Sequence, residues 1–333
     1  MQMDENYNWL SSIDSLDFSN KSAVVIGGSE ISRQYILAFL KFGMKDITVI
    51  TKSGDNISKF CKENDIELLT GGFEKNLPTI EKKDLVVVSP QINLIVSATK
   101  LSIQNGQQNI LMEKPGSLYT KDLASLQELV STQNIRIGYN RLVYPNLHKL
   151  KKLVDKEGGI TSCRFTFTER LSSIDFKKNS KEVYQRWGIS NSLHVITMAL
   201  ELIGIPREIF THQYGHLEWH PTGSVFVGTG ITEKNIPFSY HADWGSGGRW
   251  GIEVNTVENS YQLIPLEEIF VCPKDTGKWN KIDFKKSFPE IKQGIAEEVA
   301  VMLAKDKKYH DMLPVLEKTS KYNKLAENIF GYS

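Results

Sequence analysis

The chain has 333 residues, is 40% hydrophobic and 24% charged, and carries a formal net charge of +1. That length suggests two domains, and a near-neutral balance gives no reason to expect nucleic acid or an anionic membrane as partner. Three scattered cysteines (Cys61, Cys163, Cys272) without metal-ligand spacing, no basic-then-apolar leader and no spanning apolar run predict a reduced, cytoplasmic protein without a resident metal.

A polar lead-in over residues 1–20 carries a few anchors, Trp9, Leu10, Ile13, Leu16 and Phe18. From residue 21 strands and helices alternate. Ser22–Ile26 reads as a short strand buried on both faces, followed by a Gly/Ser turn and a helix over roughly 31–43 ended by Gly43. Asp46–Ile50, Ile66–Leu69, Leu85–Val88, Ile110–Met112 and Ile135–Ile137 continue the strands, with helices over roughly 55–64, 92–105 and 120–132 between them. This βαβ rhythm predicts a domain over 21–140 with a parallel sheet covered by helices on both faces, which the turn after its first strand makes the candidate dinucleotide-binding domain.

The texture then changes. Cys163, Phe165 and Phe167 alternate with Arg164, Thr166 and Thr168, the period of a half-exposed strand. Further strands are predicted near Val225–Val227, Phe238–Tyr240, Trp250–Val254 and Tyr261–Ile264, the last two joined by a turn at Glu258-Asn259. A helix over 190–203 lies among them, and two more over 290–305 and 312–328 close the chain. The expected class is α/β: a parallel-sheet domain covered by helices, followed over 141–333 by an α+β domain. The last helix is a candidate to pack back on the first domain.

Three patches carry chemistry. Lys114, in Glu113-Lys114-Pro115, ends the fifth strand, and a residue before proline is held out of the α region. Tyr139-Asn140-Arg141 follows the sixth strand. Asn191-Ser192-Leu193-His194 opens a helix, with Arg186 and Trp187 just before it. Ligands of open α/β sheets bind beyond the carboxyl ends of the strands, where the first two patches lie. Trp187 reads equally as core, Asn140 and Arg141 equally as ties between domains, and His194 also as a satisfied core histidine. His216, Glu218 and His220, two apart, would share a face on a strand; a polar sheet face explains them better than a metal site.

At the first strand-to-helix junction, Gly27, Ser29 and Ser32 occupy the three slots of a G-x-G-x-x-G dinucleotide fingerprint, with Glu30 and Ile31 opening the helix. Only the first glycine is kept, so a plain βα turn is an equal reading. The second strand ends in Thr51-Lys52-Ser53, a cation and two hydroxyls where an acidic residue would repel a 2′-phosphate. NADP(H) is therefore expected over NAD(H). Ser89 and Pro90 end the fourth strand and are candidate cofactor contacts.

With these residues in hand, the chain resembles the Gfo/Idh/MocA family of pyridine-nucleotide oxidoreductases from about residue 20 onward. Val88-Ser89-Pro90 resembles its A-T-P segment. Glu113-Lys114-Pro115 matches its E-K-P motif, and Tyr139-Asn140-Arg141 with Pro145 its Y-N-R-x-x-x-P segment. Ser192-Leu193-His194 is similar to its G-x-H element, and Gly248-Arg249-Trp250-Gly251 to a segment of sugar-acting members. The resemblance implies His194 as acid/base, Lys114 as its electrostatic partner, and substrate contacts from Asn140, Arg141, Arg186, Trp187 and Asn191. It implies cofactor contacts from Gly27, Ser29, Glu30, Ile31, Thr51, Lys52, Ser53, Ser89, Pro90, Glu113 and Lys114. It also implies an N-terminal Rossmann domain and, over 141–333, a substrate-binding and dimerisation domain with an open, mostly antiparallel sheet, together with a carbohydrate-like substrate and a homodimer or homotetramer formed through that sheet. Two features depart from the pattern: the family often carries Asp four residues before the His, where this chain has Ser190, and the glycine fingerprint is altered. A non-catalytic sensor or assembly subunit of the same fold, or a reductase of an imine, are the alternative readings.

Overall fold

The computed structural model describes residues 2–332. They cluster into two compact units, one of residues 9–143 and 286–321, the other of 2–8, 144–285 and 322–332.

The first unit is built on six parallel strands: β1 (Ser22–Ile26), β2 (Asp46–Ile50), β3 (Glu67–Leu69), β4 (Leu85–Val88), β5 (Asn109–Glu113) and β6 (Asn134–Gly138), in the order β3-β2-β1-β4-β5-β6. This is the doubly wound order, whose switch point between β1 and β4 opens a crevice at the carboxyl ends. Ala23, Val24, Val25 and all of β4 are completely buried, as an apolar run covered on both faces should be. Helix α1 (Glu30–Lys41) turns Tyr35, Ile36, Ala38 and Phe39 inward, at helical spacing. Helix α2 (Ile295–Leu303), from the C-terminal part of the chain, packs against α1 and is buried at all of its residues, two glutamates included. Its start lies later than residue 290 because Gly294, at φ +91°, ends the preceding loop.

The second unit holds an eight-stranded sheet. Its strands are β7 (Ser162–Phe167), β8 (Pro206–Tyr214), β9 (Val225–Thr232), β10 (Pro237–Asp243), β11 (Trp250–Asn255), β12 (Asn259–Leu263), β13 (Phe270–Pro273) and β14 (Asn280–Lys281). The order is β14-β13-β12-β11-β7-β10-β9-β8, with only the β7–β10 pair parallel. Helix α3 (Leu193–Ile203) covers one face, packing on β7 and β11. Ser239 and His241 point to the exposed face, alternating with the buried Phe238, Tyr240 and Ala242. The predicted β11–β12 hairpin is present, Val254 facing Tyr261.

One expectation fails here. Residues 216–220 are not a strand but a tight turn with a single Leu217–His220 bridge, between Gly215 (φ +75°) and Gly223 (φ +138°). His220 is wholly buried, its ring paired with Gly223 O at 2.9 Å and the Tyr332 hydroxyl at 2.6 Å, and burial pulls its pKa down to about 4. It is a core histidine. No cluster of metal-ligating side chains occurs among the described residues.

Candidate active site

The cofactor candidates of the first unit meet at the switch point. A cavity of about 550 Å³ is walled by Gly27, Gly28 and Ser29 after β1, Thr51, Lys52 and Ser53 after β2, and Ser89 and Pro90 after β4. Gly27 sits at φ +138°, and a Cβ there would fall 2.4 Å from Ser89 O, so the first glycine of the turn is required by the backbone of β4. The serines that replace the later glycines form a hydroxyl chain. Ser29 Oγ lies 3.3 Å from Ser32 Oγ, and Ser32 Oγ lies 2.9 Å from Ser89 Oγ. Ser32, fully buried, thus ties α1 to the end of β4, the close approach that glycine otherwise allows.

Two observations bear on whether a dinucleotide fits. The amino end of the 12-residue helix α1 follows directly on Ser29, and helix amino ends favour phosphate. Thr51 is 8% exposed and its Oγ1 has no hydrogen-bond partner among the described residues, although it lies in the cavity wall. A buried hydroxyl left unpaired costs about 1–3 kcal/mol, which a polar ligand would recover. The residues present therefore suit a phosphorylated, hydroxyl-bearing ligand. Lys52 and Ser53 stand exposed on the wall. The same wall includes Asp55, Glu74 and the Gly71-Gly72 turn, which the sequence reading missed. Asp55 lies just beyond the strand-end triplet Thr51-Lys52-Ser53. Glu30, Ile31, Glu113 and Lys114 are not part of this wall.

Lys114 and its neighbours form a second cluster in the same unit. Glu113 is the last residue of β5, Lys114 and Pro115 turn away from it through a cis peptide, and Gly116 N–H closes the turn on Glu113 O at 3.0 Å. The Tyr35 hydroxyl, from α1, lies 2.8 Å from Glu113 Oε1 and 2.6 Å from Glu298 Oε2, from α2. Burial raises both carboxyl pKa values. For Glu298, pushed well above its usual range, the Glu113 charge adds to the effect; for Glu113, the Lys114 cation opposes it. Burial likewise lifts the Tyr35 phenol. Gly138 leaves room for this cluster, since a Cβ there would lie 3.0 Å from the Tyr35 hydroxyl. The sequence did carry a signal, a Glu297-Glu298 pair inside an otherwise apolar helix. Nearby, Asn140 is buried and its amide donates to Gln293 O at 2.9 Å, which anchors the segment of Asn140 and Arg141 to the loop before α2.

The second unit carries the other candidates. The chain enters α3 through a π-turn, Gly188–Ser192, a local widening frequent at functional sites. Gly188 is needed there because a Cβ would meet the Phe330 ring at 2.3 Å. The turn directs two side chains to one carboxylate that the sequence reading missed. Asn191 Nδ2 donates to Glu169 Oε2 at 2.9 Å, and Ser192 Oγ to Glu169 Oε1 at 2.6 Å. Glu169 is 6% exposed, just past the end of β7. Ser190, in the place of the expected Asp, is buried too. His194 follows in the first turn of α3, 5% exposed, with its ring 6.1 Å from that of Trp250. Arg186 is engaged within its own unit: it donates to Glu327 at 2.8 Å and lies over the Tyr332 ring. Trp187 stacks on Tyr184, ring centroids 5.7 Å apart, while its indole Nε1 is buried without a hydrogen-bond partner among the described residues.

No family model and no curated protein sequence matches the chain. Solved structures do match it. UDP-N-acetylglucosamine 3-dehydrogenase from Acidithiobacillus ferrooxidans matches at 13% identity and TM-score 0.70, over 94% of this chain and 97% of that one. An oxidoreductase from Thermotoga maritima matches at 12% and 0.75, over 93% and 95%. A levoglucosan dehydrogenase, solved with NADH and levoglucosan, matches at 15% and 0.72, over 94% and 96%. At such identities the likeness establishes a shared fold, a six-stranded Rossmann sheet followed by a mostly antiparallel one.

Proposed function

We propose that this protein is an NADP(H)-dependent oxidoreductase that transfers a hydride between nicotinamide and a sugar or nucleotide-sugar-like polyol. The observation that carries the reading is the cavity at the β1–β4 switch point, with its unpaired Thr51 hydroxyl and its Lys52 cation. Neighbours of the same fold include dehydrogenases of UDP-N-acetylglucosamine and levoglucosan, which favours a carbohydrate-like substrate; surface-glycan precursor metabolism is one fitting context. The substrate contacts proposed are Asn140, Arg141, Trp187 and Asn191, and Arg186 is assigned the shaping of the π-turn through Glu327.

The dinucleotide supplies the hydride acceptor or donor. The Lys114 ammonium stabilises negative charge developing on the substrate oxygen, and His194 takes up or returns the hydroxyl proton. Ser29 and the α1 amino end hold phosphate, and Lys52 and Ser53 select the 2′-phosphate. Phe210 and Tyr214, 67% and 63% exposed on β8, support the proposal that the open sheet face joins copies into a homodimer or homotetramer. No helix among the described residues is long and apolar enough to cross a membrane.

The second reading, a non-catalytic sensor or assembly subunit of the same fold, is favoured by the departures at Ser29, Ser32 and Ser190, the first two linked in the Ser29–Ser32–Ser89 hydroxyl chain. One assay separates the two. The protein is incubated with NADP⁺ or NAD⁺ and a panel of sugars, polyols and nucleotide sugars, and reduced nicotinamide is followed by absorbance. Turnover that falls about 100-fold or more in both Lys114→Ala and His194→Ala supports the enzyme, as loss of a positioned acid/base commonly costs that much. Cofactor binding without turnover of any substrate supports the sensor.

A further inference from the structure

We propose that Glu298 is held as a neutral acid which donates to Tyr35, that Tyr35 in turn donates to Glu113, and that this one-way chain fixes Glu113 as the ionised residue beside Lys114. Tyr35 and Glu298 are then positioning residues for Glu113, whose charge interacts with that of Lys114, although neither belongs to a recognised motif.

The argument is a proton count. A phenol has one hydrogen to give, yet two carboxyl oxygens lie within 2.6 and 2.8 Å of the Tyr35 oxygen. If both carboxyls were ionised, one of these short contacts would place two oxygens together with no proton between them. The three groups must therefore hold two protons, one on the phenol and one on a carboxyl. The surroundings decide which carboxyl. Glu298 is fully buried in an apolar helix, and its other oxygen, Oε1, has no hydrogen-bond partner among the described residues. A buried carboxylate with a bare oxygen is costly, while a neutral acid tolerates it better. Glu113 is only half-buried and precedes a cation in the chain. The proton thus stays on Glu298 Oε2 and points to Tyr35, whose own proton points to Glu113.

The charged groups around the cluster agree with this order. Lys114 acts on Glu113 from the turn after β5, and Lys292, in the loop before α2, acts on both carboxyls. Glu297, the neighbour of Glu298 on α2, adds a like charge that disfavours ionising Glu298 further. From α1, Tyr35 acts on both carboxyls through its hydroxyl. The pH consequence follows from the sign. A carboxyl whose pKa is raised by folding stabilises the fold while protonated, and that contribution is lost as pH rises through its folded value. The chain is therefore lost with rising pH only once Glu298 gives up its proton. The function of Lys114 in turnover rests on the reading above; the proton count does not.

Infrared spectroscopy of the full chain tests the proposal without any substrate. At about pH 8.5 ordinary carboxyls are ionised, so the C=O stretching band of an un-ionised acid reports a buried one. The wild type should show that band, and Glu298→Gln should lose it while keeping its neutral-pH melting temperature, because a carboxamide N–H donates to Tyr35 as the acid does. Glu297→Gln should leave the band in place. Tyr35→Phe should shift the band and lower the melting temperature; should that variant not fold, the Glu298→Gln comparison alone decides. Absence of the band in the wild type, or its persistence in Glu298→Gln, would overturn the proposal.

Discussion

Replacing Gly27 by alanine tests whether the phosphate turn is built as described. A Cβ at this residue would lie 2.4 Å from the carbonyl oxygen of Ser89, 2.7 Å from its carbon and 2.8 Å from Ser32 Oγ. The first two are backbone atoms at the end of β4, which cannot rotate away. The residue also sits at φ +138°, where a side chain costs about 1–3 kcal/mol. Forcing a methyl into a packed interior adds about 1–3 kcal/mol more. A loss of about 2–6 kcal/mol is therefore expected, against a typical domain stability of about 5–15 kcal/mol. Urea unfolding, with slopes of about 1–3 kcal/mol per molar, should show a midpoint lower by about 0.7 M or more. Gly28→Ala is the control. Its Cβ would come under 3.0 Å only to the Thr51 methyl, at 2.9 Å, a side-chain atom rather than backbone, with Ile57 at an ordinary 3.5 Å, so it should cost less than half as much. A Gly27→Ala loss below about 0.5 kcal/mol would show that β1, α1 and β4 do not meet as described.

Glu297 gives a pH prediction. Burial raises its pKa to about 7, partly offset by the Gly294 N–H that its Oε2 accepts at 3.0 Å. A raised carboxyl stabilises the fold below its unfolded value and loses that contribution as pH rises to about 7, so stability should decline across this window. Glu297→Gln, which keeps an acceptor for Gly294, should flatten the decline in melting temperature. An unchanged pH profile would mean that the carboxyl is not desolvated. Lys52→Asp should reverse cofactor choice, lowering the NADP⁺-to-NAD⁺ affinity ratio at least tenfold by calorimetric titration, as an acidic residue repels the 2′-phosphate. A ratio that does not move would assign selectivity to Asp55 or Glu74 on the same wall.

The sequence makes the first sheet legible because strands buried on both faces must be apolar throughout, and Leu85–Val88 leaves no other reading. Cys163, Phe165 and Phe167 announce β7 by strict alternation. β8 carries no such signal. Residues Pro206–Tyr214 form an edge strand in which none is fully buried, so its pattern is set by pairing with β9 rather than by a core. The helix Pro145–Lys156 also escapes notice, its Leu147, Leu150 and Val154 scattered among lysines. The turn at 216–220 misleads because alternation of polar residues looks the same in a strand and in a loop bent by Gly215 and Gly223. In the candidate site, Lys114 and His194 stand out because their immediate neighbours are informative. Glu298 shows only as half of an acidic pair in an apolar helix and Glu169 not at all, since their roles come from Tyr35, 263 residues away, and from the π-turn 22 residues on.

The central claim is hydride transfer that depends on Lys114 and His194, and the most direct measurement is the absorbance of reduced nicotinamide in the full chain supplied with NADP⁺ and the carbohydrate panel. The account predicts turnover of at least one sugar or nucleotide sugar, faster with NADP⁺ than with NAD⁺, and falling about 100-fold in Lys114→Ala and in His194→Ala. No turnover of any substrate with either cofactor, or turnover that both variants retain, would contradict it.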